Sequence, residues 1–406
     1  PPSRCLYFLL SLAMPDKQVP PVAFFFCLCT IALVFADQAF VGLNGNGSLV
    51  LNPPAGGQVL VDGVVFRAVV DRITSIERQL EEQQCTTVAD TTTITGLSGD
   101  NKWIGGVLAG NGLIYGIPFL SQSVLIIDPA TNTADANTIR GLNANTNKWA
   151  DGVLAGNGRI YGIPRNSESV LIIDPTSNTA DTTTITGLTG IGKWTHGVLS
   201  SNGLIYGIPT NSESVLIINP ATNTADTAAI SGLSSAIEKW LGGVVARNGR
   251  IYGIPYASEA VLIIDPALNT TDTTSITGIS GNAKWVGGVL ASNGNIYGIP
   301  YNSNSVLIIN PTTNIADTTT IAGLSGNGKW HGGVLASNGL IYGIPGHAAS
   351  PLIIDPTNNA TTTIAGLTDD TTKKWAGGVQ AGNGKIYGIP RDSTSVLIIK
   401  RDCERL

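Results

Sequence analysis

The chain has 406 residues, of which 49 are Gly and only 13% are charged. Its formal net charge is −5 and it carries no Lys- or Arg-rich run, which argues against a nucleic acid as partner. Abundant Gly, Thr, Asn and Ser suit many short strands and tight turns, and the length fits a single large all-β architecture.

Residues 1–36 read as upstream residues followed by a signal peptide that starts at Met14, the one Met of the chain. Lys17 supplies a short basic region, residues 22–35 an apolar core, and Val34-Phe35-Ala36 the small-residue spacing of a cleavage site. The alternative is an uncleaved anchor, for which the apolar stretch is short. Cleavage after Ala36 would remove Cys5, Cys27 and Cys29 and leave Cys85 with Cys403, an even count that reads as a disulfide in a secreted chain. Three Asn-x-Ser/Thr acceptors survive, at Asn46, Asn269 and Asn359.

Residues 37–84 differ in composition and read as a β and helical assembly segment. "GSLVLNPPAGGQVLVDGVVF" predicts one or two strands around a Pro-Pro-Ala-Gly-Gly turn. The following stretch predicts a helix with Phe66, Val69, Ile73, Ile76 and Leu80 on one seam, a heptad-like pattern. The run Arg72-Ile73-Thr74-Ser75-Ile76-Glu77 resembles the Arg-apolar-x-x-apolar-Glu motif of short trimeric coiled coils. Two readings stand: self-association through this seam, or an amphipathic helix packed on the rest of the chain.

From residue 85 to 403 the sequence repeats. Lys-Trp pairs begin at Lys102, Lys148, Lys193, Lys239, Lys284, Lys329 and Lys374, spaced by 45 or 46 residues. One unit reads "KWVGGVLASNGNIYGIPYNSNSVLIINPTTNIADTTTIAGLSGNG". It predicts four strands: "KWVGGVLA", "NIYGIP", "SVLIIN" ended by Pro, and the β-branched "ADTTTIAG". Four antiparallel strands per repeat of this length describe a propeller blade, and seven units make a seven-bladed ring. One fourth-strand segment, "CTTVADTTTITGL" at residues 85–97, precedes every first strand, while the last unit lacks its own. The expectation is that this amino-terminal strand pairs with residues 395–399 and closes the last blade, hiding the edges of an open array. Cys85 and Cys403 both fall where the missing third-to-fourth loop would run. A bond between them closes a loop of about 318 residues, for which chain entropy gives up to ~5 kcal/mol. Residues 404–406 are a tail.

The words "SVLIIDPTSNTADTTTITG" and "NGLIYGIP" resemble the Tyr-Val-Thr-Asn-type and NHL-type seven-bladed propeller repeats, over residues 86–400. The second strand reads Tyr-Gly-Ile-Pro where the former has Tyr-Val-Thr-Asn. The resemblance implies the fold and no particular activity.

Chemistry is sought where the copies differ. The seven Lys either form a positive ring on one face or pair with a carboxylate or carbonyl of their own or the next blade. The recurring Asp90, Asp135, Asp181, Asp226, Asp272 and Asp317 are the carboxylate candidates, and the structural reading is favoured. The Trp residues read as packing between blades. Two residues after each Trp the repeat has Gly, except for Asp151 and His196 in adjacent blades. This pair is the one weak catalytic candidate, an Asp-oriented His acting as general base, against the reading of two isolated polar substitutions. His331 sits one column away. The scattered His do not form a metal site, and no cofactor motif occurs. The second-to-third loops vary most, and Phe119, Arg165, Tyr256, Tyr301, His347 and Arg391 in them are the binding candidates. The leading expectation is a secreted, non-enzymatic structural or adhesive propeller. Such a protein would serve an extracellular fibre or coat and contact a glycan or a cell-surface protein. The alternatives are a glycan-binding lectin and a hydrolase or lyase.

Overall fold

The computed structural model describes strand residues 40–43, 49–52, 60–61 and 64–65, and then residues 85–144, 147–367 and 374–403. The signal segment, the helical seam of Phe66, Val69, Ile73, Ile76 and Leu80, and the acceptor Asn46 lie outside the described residues. So do the side chains of Cys85 and Cys403. Contacts divide the chain into residues 87–402 and a unit of residues 1–86 with 403–406. In the latter, Phe40–Leu43 pairs with Leu49–Asn52, and Leu60–Val61 with Val64–Val65, all antiparallel. Where the sequence predicts one or two strands, the described residues hold two antiparallel pairs, one before and one after the Pro-Pro-Ala-Gly-Gly stretch in sequence.

Residues 85–403 build seven four-stranded antiparallel sheets, arranged as a seven-bladed β-propeller. Blade 5 is typical, with strands Trp285–Leu290, Ile296–Pro300, Leu307–Asn310 and Ile315–Asp317 from the channel outward. Blade 7 comprises Trp375–Gln380, Ile386–Pro390 and Leu397–Cys403, and its outermost strand is Cys85–Asp90. Around this seam Val396 N donates to Ile94 O at 3.0 Å and Leu97 N to Thr394 O at 2.9 Å. The amino-terminal strand thus closes the last blade, as the misplaced repeat predicts.

The outermost strands are shorter than their Thr-rich sequence predicts. In blade 5 the strand stops at Asp317, whose carboxylate accepts from Thr319 N at 2.7 Å, Thr320 N at 3.1 Å and both Thr hydroxyls. This local capture outcompetes the ladder. Ile321 then turns back under the blade, buried, with its carbonyl accepting from Val306 N at 3.0 Å.

Every second strand, Ile-Tyr-Gly-Ile-Pro, is buried throughout. Blades wedge together there and at the innermost strands. A Cβ built on Gly197 would lie 2.5 Å from Val153 Cγ2 and 2.6 Å from Ile163 Cδ1, so a side chain at this position would force blades 2 and 3 apart. Each interface is also tied by polar bonds. The Tyr161 hydroxyl of blade 2 donates to Asn223 Oδ1 of blade 3 at 2.6 Å, and Tyr387 of blade 7 donates to Asn132 Oδ1 of blade 1 at 3.1 Å. These bonds satisfy phenols that the packing has removed from water.

The innermost strands carry the feature that builds the site. In blade 2, Trp149 pairs with Pro164 but Gly152 pairs with Gly162, so one extra residue is accommodated. The same register shift recurs in all seven blades. Such a bulge re-aims side chains out of the ladder. It lies at the two residues after each Trp, beside the channel.

Candidate functional site

The seven Lys are structural. All are at most 5% exposed. Lys329 Nζ donates to Gly326 O at 2.8 Å, Ser303 O at 2.8 Å and Tyr301 O at 3.1 Å, and lies 5.8 Å from the centroid of the Trp330 ring. Lys102 bridges blades 1 and 7 in the same way, onto Arg391 O and Ser393 O, both at 3.0 Å. Burial pulls Lys148, Lys193, Lys239 and Lys329 down to about 8. These ammonium groups therefore present no charged ring to solvent; they donate to backbone carbonyls instead. The expected carboxylate partners serve their own turns, as Asp181 does toward Thr183 and Thr184. The Trp residues pack between blades, each Nε1 donating to a carbonyl, as Trp330 does to Ser350 O at 2.8 Å.

The residue that follows each second strand rings the mouth of the channel. In blade order these are Phe119, Arg165, Thr210, Tyr256, Tyr301, Gly346 and Arg391. A cavity of about 130 Å³ opens here. Five of the six sequence-predicted binding residues line it: Phe119, Arg165, Tyr256, Tyr301 and Arg391. His347 does not. Its ring packs against the Gly328 position, where a Cβ would lie 2.6 Å from Nδ1, and its backbone N donates to Gly328 O at 2.9 Å. The cavity also takes in Glu238, Thr195, His196 and His331. Glu238 was legible as a departure. It stands in the column before the Lys, which holds Asn101, Asn147, Gly192, Ala283, Gly328 and Lys373 in the other blades, and it adopts φ 53°, a conformation that favours Asn and Gly.

Phe119 is 2% exposed and lies between two cations. Arg165 Cζ is 5.6 Å and Arg391 Cζ 5.8 Å from its ring centroid. Arg391 is anchored through Nε on Asn101 Oδ1 at 2.7 Å. Arg165 Nε is buried without a hydrogen-bond partner. Burial pulls both guanidinium groups down from their ordinary value. Glu238 opposes this at Arg165 and Asp392 at Arg391, while the charge of Arg165 adds to the strain on Arg391. Across the cavity, Tyr256 and Tyr301 have ring centroids 5.9 Å apart, tilted by 48°. Burial, then the neighbouring Tyr301 and Glu238, push the Tyr256 phenol up to about 12. Tyr301 also meets His331 edge-on at 6.2 Å.

Below the mouth is a second cavity of about 140 Å³, floored by glycines, with Asp151, His196 and His331 on its wall. The bulges of blades 2 and 3 place Asp151 and His196 together, as their adjacent blades suggest. Desolvation pushes the Asp151 carboxyl up, and the charge of His196 opposes that shift. The carboxylate accepts from Gly197 N at 3.3 Å. His196 Nδ1 is buried without a partner. Asp151 therefore makes no hydrogen bond to His196 Nδ1. Among the described residues no group of three or more His, Cys, Asp or Glu is placed to hold a metal.

A larger open furrow of about 570 Å³ lies between blades 4 and 5. Its wall is made of the repeat's own Ser, Thr and Asn, and its one cation, Lys284, is bonded to carbonyls. On the opposite end of the ring, Asn269 and Asn359 lie in third-to-fourth loops. Asn269 is exposed, whereas the carboxamide oxygen of Asn359 accepts from Tyr297 OH at 2.9 Å.

No family model matches the chain, and no curated protein matches it. Solved structures do. A catalytically inactive virginiamycin B lyase from Staphylococcus aureus with quinupristin is 10% identical, covers 77% of this chain and 99% of its own, and has a TM-score of 0.62. The BT4673 extracellular domain from B. thetaiotaomicron is 11% identical over 78% of this chain and 42% of its own, at 0.58. An auxiliary nutrient binding protein from Bacteroides ovatus is 13% identical over 79% and 78%, at 0.50. At such identities the likeness establishes the fold alone: the chain is a seven-bladed β-propeller.

Proposed function

We propose that the chain is a secreted, non-enzymatic propeller that serves structure or adhesion at a cell surface and recognises its target with the channel mouth. One observation carries this reading. In a ring of near-copies, five residues of the one column that follows each second strand carry charge or aromatic surface and wall a single cavity: Phe119, Arg165, Tyr256, Tyr301 and Arg391. Variation focused on one face of a constant scaffold suits recognition. Two similar folds belong to an extracellular domain and a nutrient binding protein, which accords with a role outside the cell.

The test is attachment of the labelled mature chain to the surface of the cells that secrete it. Arg165→Ala with Arg391→Ala should abolish attachment while thermal unfolding stays cooperative. Unchanged attachment would reject the mouth as the recognition surface. The glycan-binding reading is favoured by the Tyr256–Tyr301 pair, since tilted aromatic rings beside polar groups suit a sugar ring.

A further inference from the structure

We infer that the mouth cavity binds a single carboxylate borne on a six-membered ring, the carboxylate taken by Arg165 beside Arg391 and the ring set against Tyr256 and Tyr301. This inference deepens the recognition role proposed above and rests on it.

The geometry supplies a charged socket in which one buried donor has no acceptor. Two guanidinium groups share one aromatic ring, Phe119, at 5.6 and 5.8 Å. The shared ring, and for Arg391 the bond to Asn101, hold the two groups near the cavity before any ligand arrives, so less freedom is lost on binding. Arg391 already spends Nε on Asn101. Arg165 Nε is buried and unpartnered beside the cavity it lines. A buried donor without an acceptor is costly, and a carboxylate oxygen would satisfy it with a charge-assisted bond. A planar carboxylate matches the Nε–Nη edge of a guanidinium, which makes this anion a better fit than a spherical one.

Charge sets the stoichiometry. The cavity wall holds two guanidinium groups and one carboxylate, Glu238. Asp392 lies behind Arg391, its Oδ1 accepting from Asn101 N at 2.6 Å. One monoanion fits the remaining field, whereas a dianion would meet Glu238 and Asp392 in turn. Volume sets the body. About 130 Å³ is close to the ~150 Å³ of an apolar cavity that holds one benzene-sized ring. Tyr256 and Tyr301 offer aromatic walls to the same cavity.

The test is calorimetric titration of the mature chain with two acid and neutral pairs: benzoate against benzamide, and glucuronate against glucose. Each pair differs chiefly in the charge at one substituent. At least one acid should bind ~10-fold or more tightly than its neutral counterpart. Preference for benzoate points to a free aromatic acid, and preference for glucuronate to an acidic glycan end; either supports the inference. Arg165→Met should weaken the preferred acid by ~10-fold or more. Glu238→Gln should strengthen it, a gain that misfolding does not produce. Equal binding of acid and neutral forms, no binding of either acid, or no gain from Glu238→Gln would overturn the inference. If the acids fail while the double Arg variant still abolishes cell attachment, the recognition role stands and only the ligand class falls. If attachment also survives, both fall.

Discussion

Lys400 Nζ lies 3.0 Å from Asp90 Oδ2, an ion pair between residues 310 positions apart. It sits where the amino-terminal strand joins the last blade. The other third strands carry Asp or Asn at the Lys400 position. The cation is thus specific to the seam. Asp90 also accepts from Thr92 N at 2.8 Å and Thr93 Oγ1 at 2.6 Å, so it holds the turn and the seam together.

The two partners should therefore differ on mutation. Lys400→Met removes a partly exposed pair and should cost no more than ~1 kcal/mol. Asp90→Ala also removes the turn bonds and should cost about 2 kcal/mol or more, at ~1 kcal/mol per bond lost. Urea unfolding of both variants checks this, and equal losses would show that the turn contributes nothing.

Acid should loosen blades 2, 4, 5 and 7. Burial pushes the carboxyls of Asp90 and Asp181 up, but hydroxyl and amide donors of the adjoining Thr outweigh it; Asp90 is held well below the usual range and Asp181 at about 2. The Ser275 hydroxyl at Asp272 and the Thr320 hydroxyl at Asp317 lower both to about 2. Unfolded Asp titrates near ~3.9. As pH falls from about 4 to 2 the unfolded chain binds more protons, so stability present at pH 5 is lost in that window. A urea midpoint unchanged between pH 5 and about 2.5 would refute this.

Alkali should do the opposite at first. The buried Lys of blades 2, 3, 4 and 6 are lowered to about 8 by desolvation, against ~10.4 when unfolded. Between these values the unfolded state binds more protons, so stability should rise with pH. Above about pH 10 the Tyr256 phenol, raised to about 12, reverses the trend as unfolded Tyr ionises first. The melting temperature should pass through a maximum between about pH 10 and 11, and Lys148→Met should flatten the rise. A monotonic fall from pH 7 would refute the linkage.

The cysteines and the preceding segment make a paired prediction. Cys85 and Cys403 end the two seam strands of blade 7. Non-reducing peptide mapping should recover them as one disulfide, and two free thiols would exclude it. Deleting residues 37–84 should leave a folded monomeric propeller, while Ile73→Asp with Ile76→Asp should weaken oligomers of the mature chain. Light scattering that finds the mature chain monomeric at high concentration would exclude assembly through this segment.

The ring was legible because the unit is copied so closely that one displaced fragment, residues 85–97, could be recognised as a missing outer strand. Its length was not. Thr and Ile in "ADTTTIAG" favour extended backbone, but Asp317 seizes the next two amides and ends the strand, a contest that propensity does not report. The mouth was legible in part, because Phe119, Arg165, Tyr256, Tyr301 and Arg391 replace one another in a single column. Glu238 and His331 stand in two other columns, the residue before each Lys and the residue after each Trp, and only the closing of the ring brings those columns to the same cavity. The nearness of Asp151 and His196 followed from adjacent blades. The direction of the His196 ring did not, since it depends on bulges that pairing alone reveals.

The seam has a consequence for how such a chain varies in length. The closing strand pairs only with the third strand of whichever blade comes last. It does not count the blades before it. The number seven is set instead at the wedges, where Gly197 meets Val153 and Ile163 and its counterparts repeat the contact around the ring. A gene that lost or gained one of these near-identical units would still encode matching ends. Its product would fail by mismatch of angle spread over every interface, and the latch would be the last part to notice.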